Sequence, residues 1–131
     1  MYGKLLSFKT PTILLALCLV TLVPEVSQAS WIRSQPIYVR NNTTHTIWVA
    51  AQYMPPGSCD FVTSGMWQIA PGQTVFVASN VNRWIYFYAR DDAGNVWDGN
   101  DTHGTVNGER LGMRQYDTTM CFDPWTITFG G

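Results

Sequence analysis

The chain has 131 residues, a formal net charge of −1 and only 13% charged side chains. With no basic stretch it lacks the electrostatic footprint of a protein that binds nucleic acid or an anionic membrane. Its length suits a single domain.

The first segment is a leader rather than part of a fold. Lys4 and Lys9 make a basic start, and 10–23 (TPTILLALCLVTLV) is apolar and uncharged. Ser27-Gln28-Ala29 then offers a small-x-small cleavage pattern before Ser30. That layout predicts a secretory signal peptide over 1–29, removed in the mature protein. The apolar run is short for a bilayer span, which takes about 20 residues, although an uncleaved anchor is the alternative. Leu15-Ala16-Leu17-Cys18 does not suit lipid attachment, because the residue before the cysteine should be small and is Leu17. The expected protein is therefore exported to the periplasm, the cell surface or the medium. No transmembrane segment is expected after cleavage. The domain is 30–131, with six Arg against eight Asp and Glu and no Lys.

From there, short β-branched and aromatic runs recur about every ten residues, each closed by turn formers. They are Pro36–Arg40, Thr46–Tyr53, Met66–Ala70, Thr74–Ser79, Trp84–Arg90, Asn95–Asp98, Arg110–Tyr116 and Trp125–Phe129. The breakers between them include 41–44 (NNTT), 55–58 (PPGS), Pro71-Gly72 and Asp92-Ala93-Gly94. Asn107-Gly108 is a strong hairpin pair, because both residues tolerate the positive φ of a type I′ turn. No stretch has a helical period. Alternation puts Ile47, Val49, Ala51 and Tyr53 on one face, with Val75 and Val77, then Trp125, Ile127 and Phe129, to match. The prediction is all-β, a single antiparallel β-sandwich of about seven or eight strands.

Once Cys18 leaves with the leader, Cys59 and Cys121 remain. Two cysteines in an exported domain are expected to form one disulfide, which would close a loop of about 60 residues and contribute about 4 kcal/mol. Two buried thiols would need a reducing compartment, and a metal pair would need histidines nearby.

Four segments carry a family resemblance. They are Asn41-Asn42-Thr43-Thr44 with the strand to Tyr53, 65–72 (GMWQIAPG), Tyr86-Phe87-Tyr88-Ala89 and Trp97-Asp98-Gly99. Over roughly 37–100 the chain resembles a bacterial family of small exported proteins known only as a domain of unknown function, number ten-thirty-six. The resemblance implies export and fold, and no activity. Arg40 and Gln73 stand where that family often carries cysteine, none lies near 100, and Met66 stands where tryptophan is common. The family's disulfide layout is therefore not carried over.

Catalysis would need a constellation that is missing. His45 and His103 are the only neutral-pH acid–base candidates, both read as loop residues, and no nucleophile elbow, phosphate loop or zinc-protease motif appears. A non-catalytic protein is expected. Asp91, Asp92, Asp98 and Asp101, with Asn95 and Asn100, crowd oxygen donors into one short stretch, which suits calcium. The register is not that of an EF-hand, and turns use Asp, Asn and Gly anyway.

Ligand binding is the leading expectation. The chain holds six Trp, six Tyr and six Phe. In 84–90, Ile85, Phe87 and Ala89 share one face and Trp84, Tyr86 and Tyr88 the other. Rings with a polar tip suit sugars and protein partners. A buried second face, covered by 54–65 or 117–124, is the competing expectation. Trp97, Asp98 and Asn100 complete the candidate site at the loop rim, where β-sandwiches usually graft binding sites. The expected function is a binding module for a glycan or cell-surface component. The alternatives are an exported inhibitor or immunity-type protein that caps a protein partner, and a calcium-stabilised structural domain. The sequons at Asn41, Asn42 and Asn100 are read as turn residues.

Overall fold

The computed structural model describes residues 33–120 and 122–130. The predicted leader and Cys121 lie outside the described residues. Among them every regular element is a strand, and no helix is long and apolar enough to cross a membrane. In chain order the strands are β1 (Gln35–Asn41), β2 (Ile47–Tyr53), β3 (Val62–Ile69), β4 (Thr74–Asn80), β5 (Trp84–Asp91), β6 (Val96–Trp97), β7 (Thr102–Val106), β8 (Glu109–Asp117) and β9 (Trp125–Phe129).

Two sheets face each other. The small one has the order β9-β1-β4, and the large one has β3-β2-β5-β8-β7 with β6 also paired to β5. All pairs are antiparallel except β9 with β1, which run parallel. Between them lies the main core. Ile37, Val39, Val77, Ala78, Ile127 and Phe129 come from the small sheet, and Ile47, Val49, Ala51, Ile69, Ile85, Phe87 and Ala89 from the large one. Phe87 sits at the ring centre of this core, 5.9 Å from Tyr116, 6.4 Å from Trp125 and 6.2 Å from Phe129. The alternation read from the sequence is the cause, except at Val77-Ala78, where a register irregularity opposite Ile37-Tyr38 turns two consecutive residues inward.

The large sheet curls. Residues 84–87 of β5 pair with 114–117 of β8, while Ala89 and Arg90 pair with β6 instead. The first half of β8 is thereby released to pair with β7, through the Asn107-Gly108 turn. Both turn residues have positive φ (51° and 81°), as a type I′ turn requires. This hairpin folds back over the second face of the sheet. A separate apolar cluster of Ala50, Tyr88, Val106, Leu111 and Met113 fills the space beneath it. The curl brings β7 hard against β3. A Cβ on Gly104 would lie 2.6 Å from Thr63 Oγ1, so this approach needs glycine.

Three expectations change here. Residues 102–106, read as loop around His103, form β7. The alternating Thr102, Gly104 and Val106 were hidden by a polar context and a glycine at the seam. The strand ending at Ile69 starts at Val62 rather than Met66, because a register irregularity in its pairing opposite Val49–Ala51 breaks its alternation. The β7–β8 hairpin covers Tyr88 on the second face, and the expected loop 54–65 contributes Phe61, which packs edge-on to Tyr86.

Candidate functional site

The loop end of the sandwich is built around one residue. Asn41 is fully buried at the end of β1. Its amide Nδ2 donates to the His45 carbonyl (2.7 Å) and to the Ile69 carbonyl (2.9 Å). Its Oδ1 accepts from Thr43 N (2.9 Å) and Thr43 Oγ1 (2.7 Å). Its backbone N–H donates to Gln73, and its carbonyl accepts from Gly72 N. One side chain thus folds the β1–β2 turn and ties it to β3, an Asx arrangement of the kind that explains asparagine in turns.

Asp91 does the same for the β5–β6 hairpin. Its Oδ1 accepts from the N–H groups of Ala93 (2.9 Å) and Asn95 (2.8 Å), and its Oδ2 from Asn95 Nδ2 (2.8 Å). The Asn95 side chain, the backbone donors and nearby His45 hold this carboxyl below its ordinary range. The two loops meet through His45 Nδ1 and Asp92 Oδ1, 3.3 Å apart and both exposed.

Between the loops lies an open groove of about 450 Å³, lined by Asn42, Thr43, Thr44, His45, Asp91, Asn95, Trp97 and Gly130. Trp97 is half-buried and is held edge-on to Phe129, with ring centroids 5.7 Å apart. The volume is on the scale of small-molecule sites.

The expected aromatic ladder does not form one open face. Tyr88 is buried (8% exposed) in the second cluster, with Arg90 over its ring. Tyr86 is half-buried, packs edge-on to Phe61 and receives a hydrogen bond from Gln115 Nε2 (3.0 Å). Trp84 is half-buried under the Arg83 guanidinium. The curled hairpin that covers Tyr88 is the physical reason, since that hairpin was invisible without β7. Asp98 and Asn100 are exposed on the link between β6 and β7, outside the groove lining.

The carboxylates considered for calcium do not converge. Asp91 is spent on its own hairpin, Asp92 faces His45, and Asp101 accepts from Gln115 N (2.8 Å). Among the described residues no three His, Cys, Asp or Glu side chains are placed to hold a metal ion. Cys59 lies on the exposed loop between β2 and β3, and its expected partner Cys121 is outside the described residues.

In the sequence Asn42 and Thr44 read as turn residues, with no sign of a binding role. Their presence at the groove follows from Asn41, whose role no local pattern reveals because its partner at Ile69 is 28 residues away. The chain matches no family model, no curated protein and no solved structure.

Proposed function

We propose that this chain is an exported, non-catalytic binding module that holds a glycan or another cell-surface component in the groove at its loop end. The groove is the single observation that carries the proposal. A half-buried tryptophan lies between two loops whose backbones are each pinned by a buried side chain, Asn41 and Asp91. Pre-organised loops bind without a further ordering cost, and a ring beside amides and hydroxyls suits a hydroxylated ligand. The expected leader and a Cys59–Cys121 bond fit work outside the cytoplasm. Glycan-array and envelope-fraction binding by the wild type and by Trp97→Ala and Asn95→Ala tests it. Loss of signal in both variants is expected, and an unchanged profile in both refutes the site.

A second reading has its own observation. Phe76 is 51% exposed on the outer face of the small sheet and packs edge-on to Tyr38, beside exposed Arg40. Exposed rings next to an arginine suit a protein contact, which favours an exported inhibitor that caps a partner. Phe76→Ser would separate the two readings, because it leaves the groove intact.

A further inference from the structure

The polar groups at the groove divide into two sets. Asn41, Thr43 and Asp91 are consumed in building the loops. The Asn42 side chain, the Thr44 hydroxyl, Asn95 Oδ1 and the Trp97 indole N–H take no partner among the described residues, while the other end of the Asn95 amide is fixed on Asp91. The unused set contains two amides, a hydroxyl and an indole, all uncharged.

The ionisable groups that line the groove, Asp91 and His45, already have partners. The Asp91 carboxylate accepts three N–H bonds, and His45 faces Asp92 at 3.3 Å. No Lys or Arg lines the groove, so an anion would find no counter-charge. A cation would find no uncommitted carboxylate. Desolvating either kind of ion here without a partner is costly. Neutral hydroxyls, by contrast, can both donate and accept, and meet the free amide, hydroxyl and indole groups directly. Trp97, fixed by Phe129, adds a rigid apolar surface for the C–H face of a sugar ring.

We infer that the groove takes a neutral saccharide, recognised by Asn42, Thr44 and Asn95 through its hydroxyls and by Trp97 through its ring. The inference rests on the binding reading above and narrows its ligand class. It turns on the unused neutral groups of the groove.

The test uses the full mature chain and NMR of the Trp97 indole N–H, identified by its loss in Trp97→Phe. Neutral hexoses and N-acetylhexosamine oligomers are titrated beside a uronic acid, a sialic acid and an amino sugar, at low and high sodium chloride. Neutral sugars should move the Trp97 resonance with an affinity that changes less than about twofold with salt, since no ion pair is being screened. Asn42→Ala and Thr44→Ala, both at exposed positions, should each weaken binding several-fold, whereas Arg110→Ala, outside the groove lining, should not. If only acidic or amino sugars move that resonance, in a salt-dependent way, the ligand class is wrong and the groove stands as a site. If no sugar moves it while binding to glycans persists elsewhere on the chain, or if nothing binds at all, both proposals fall.

Discussion

Replacing Asn41 tests the architecture of the site directly. Asn41→Ala deletes four side-chain hydrogen bonds at a fully buried position. A buried neutral hydrogen bond contributes about 1 kcal/mol net, and an orphaned buried group costs about 1–3 kcal/mol. His45 is exposed and Thr43 half-buried, so water can replace part of what they lose. The Ile69 carbonyl belongs to a fully buried residue and has less access to water. The expected loss is about 2–4 kcal/mol, a fall in melting temperature of roughly 10–25 °C for a domain of this size. Asn41→Asp should be at least as damaging at neutral pH, because it turns a carboxylate oxygen toward two carbonyl oxygens. That penalty should ease on acidification as the carboxyl protonates. Neighbouring Asn42→Ala, exposed, should stay within about 0.5 kcal/mol of the wild type. Urea unfolding followed by tryptophan fluorescence, with the slope unchanged, measures all three. A loss below about 1 kcal/mol in Asn41→Ala would mean that Asn41 merely fills space and that the β1–β2 turn is held by other means.

Three other contacts carry measurable outcomes. Gly104→Ala places a methyl 2.6 Å from Thr63 Oγ1 and 2.7 Å from its Cγ2, and the β-branched partner cannot swing away easily, so a loss of about 1–3 kcal/mol is expected. Adding Thr63→Ala should recover part of it, and strictly additive effects in the double mutant would refute the seam. Asp117 is held at about 2, below its ordinary 3.8, by its hydrogen bond from Arg83, and its pairing therefore stabilises the fold above pH 4 and is lost as pH falls toward 2. Asp117→Asn should flatten that acid limb of the stability curve, and 0.5 M salt should shrink it, roughly as screening of an exposed pair demands; an unchanged limb in Asp117→Asn would assign the acid sensitivity elsewhere. Non-reducing mass measurement should find Cys59 and Cys121 linked, and reduction should lower stability by about 4 kcal/mol; two free thiols in protein recovered from an oxidising compartment would overturn the pairing.

What the sequence makes legible is local, and what it conceals is long-range. Ile85, Phe87 and Ala89 announce themselves by alternation, and Asn107-Gly108 by the φ it permits, because both signals lie within a few neighbouring residues. The curl of the large sheet depends on β5 changing partners halfway along, from β8 to β6, and a strand's own residues do not say where its partner ends. That one change decides which aromatic rings are open. It frees the start of β8 to carry Leu111 and Met113 across Tyr88, and so closes half of the ladder that looked like a binding face. Trp97 escapes the lid because it lies on the opposite face: it pairs with inward-facing Ala89 and packs at the edge of the main core against Phe129. The ring-rich strand and the polar loop that follows it were thus two different things. The strand supplies two cores, one on each face, and the loop supplies a rim. The groove arises only where that rim meets the Asn-Asn-Thr-Thr turn, some fifty residues earlier in the chain, so a search confined to either segment finds half a site.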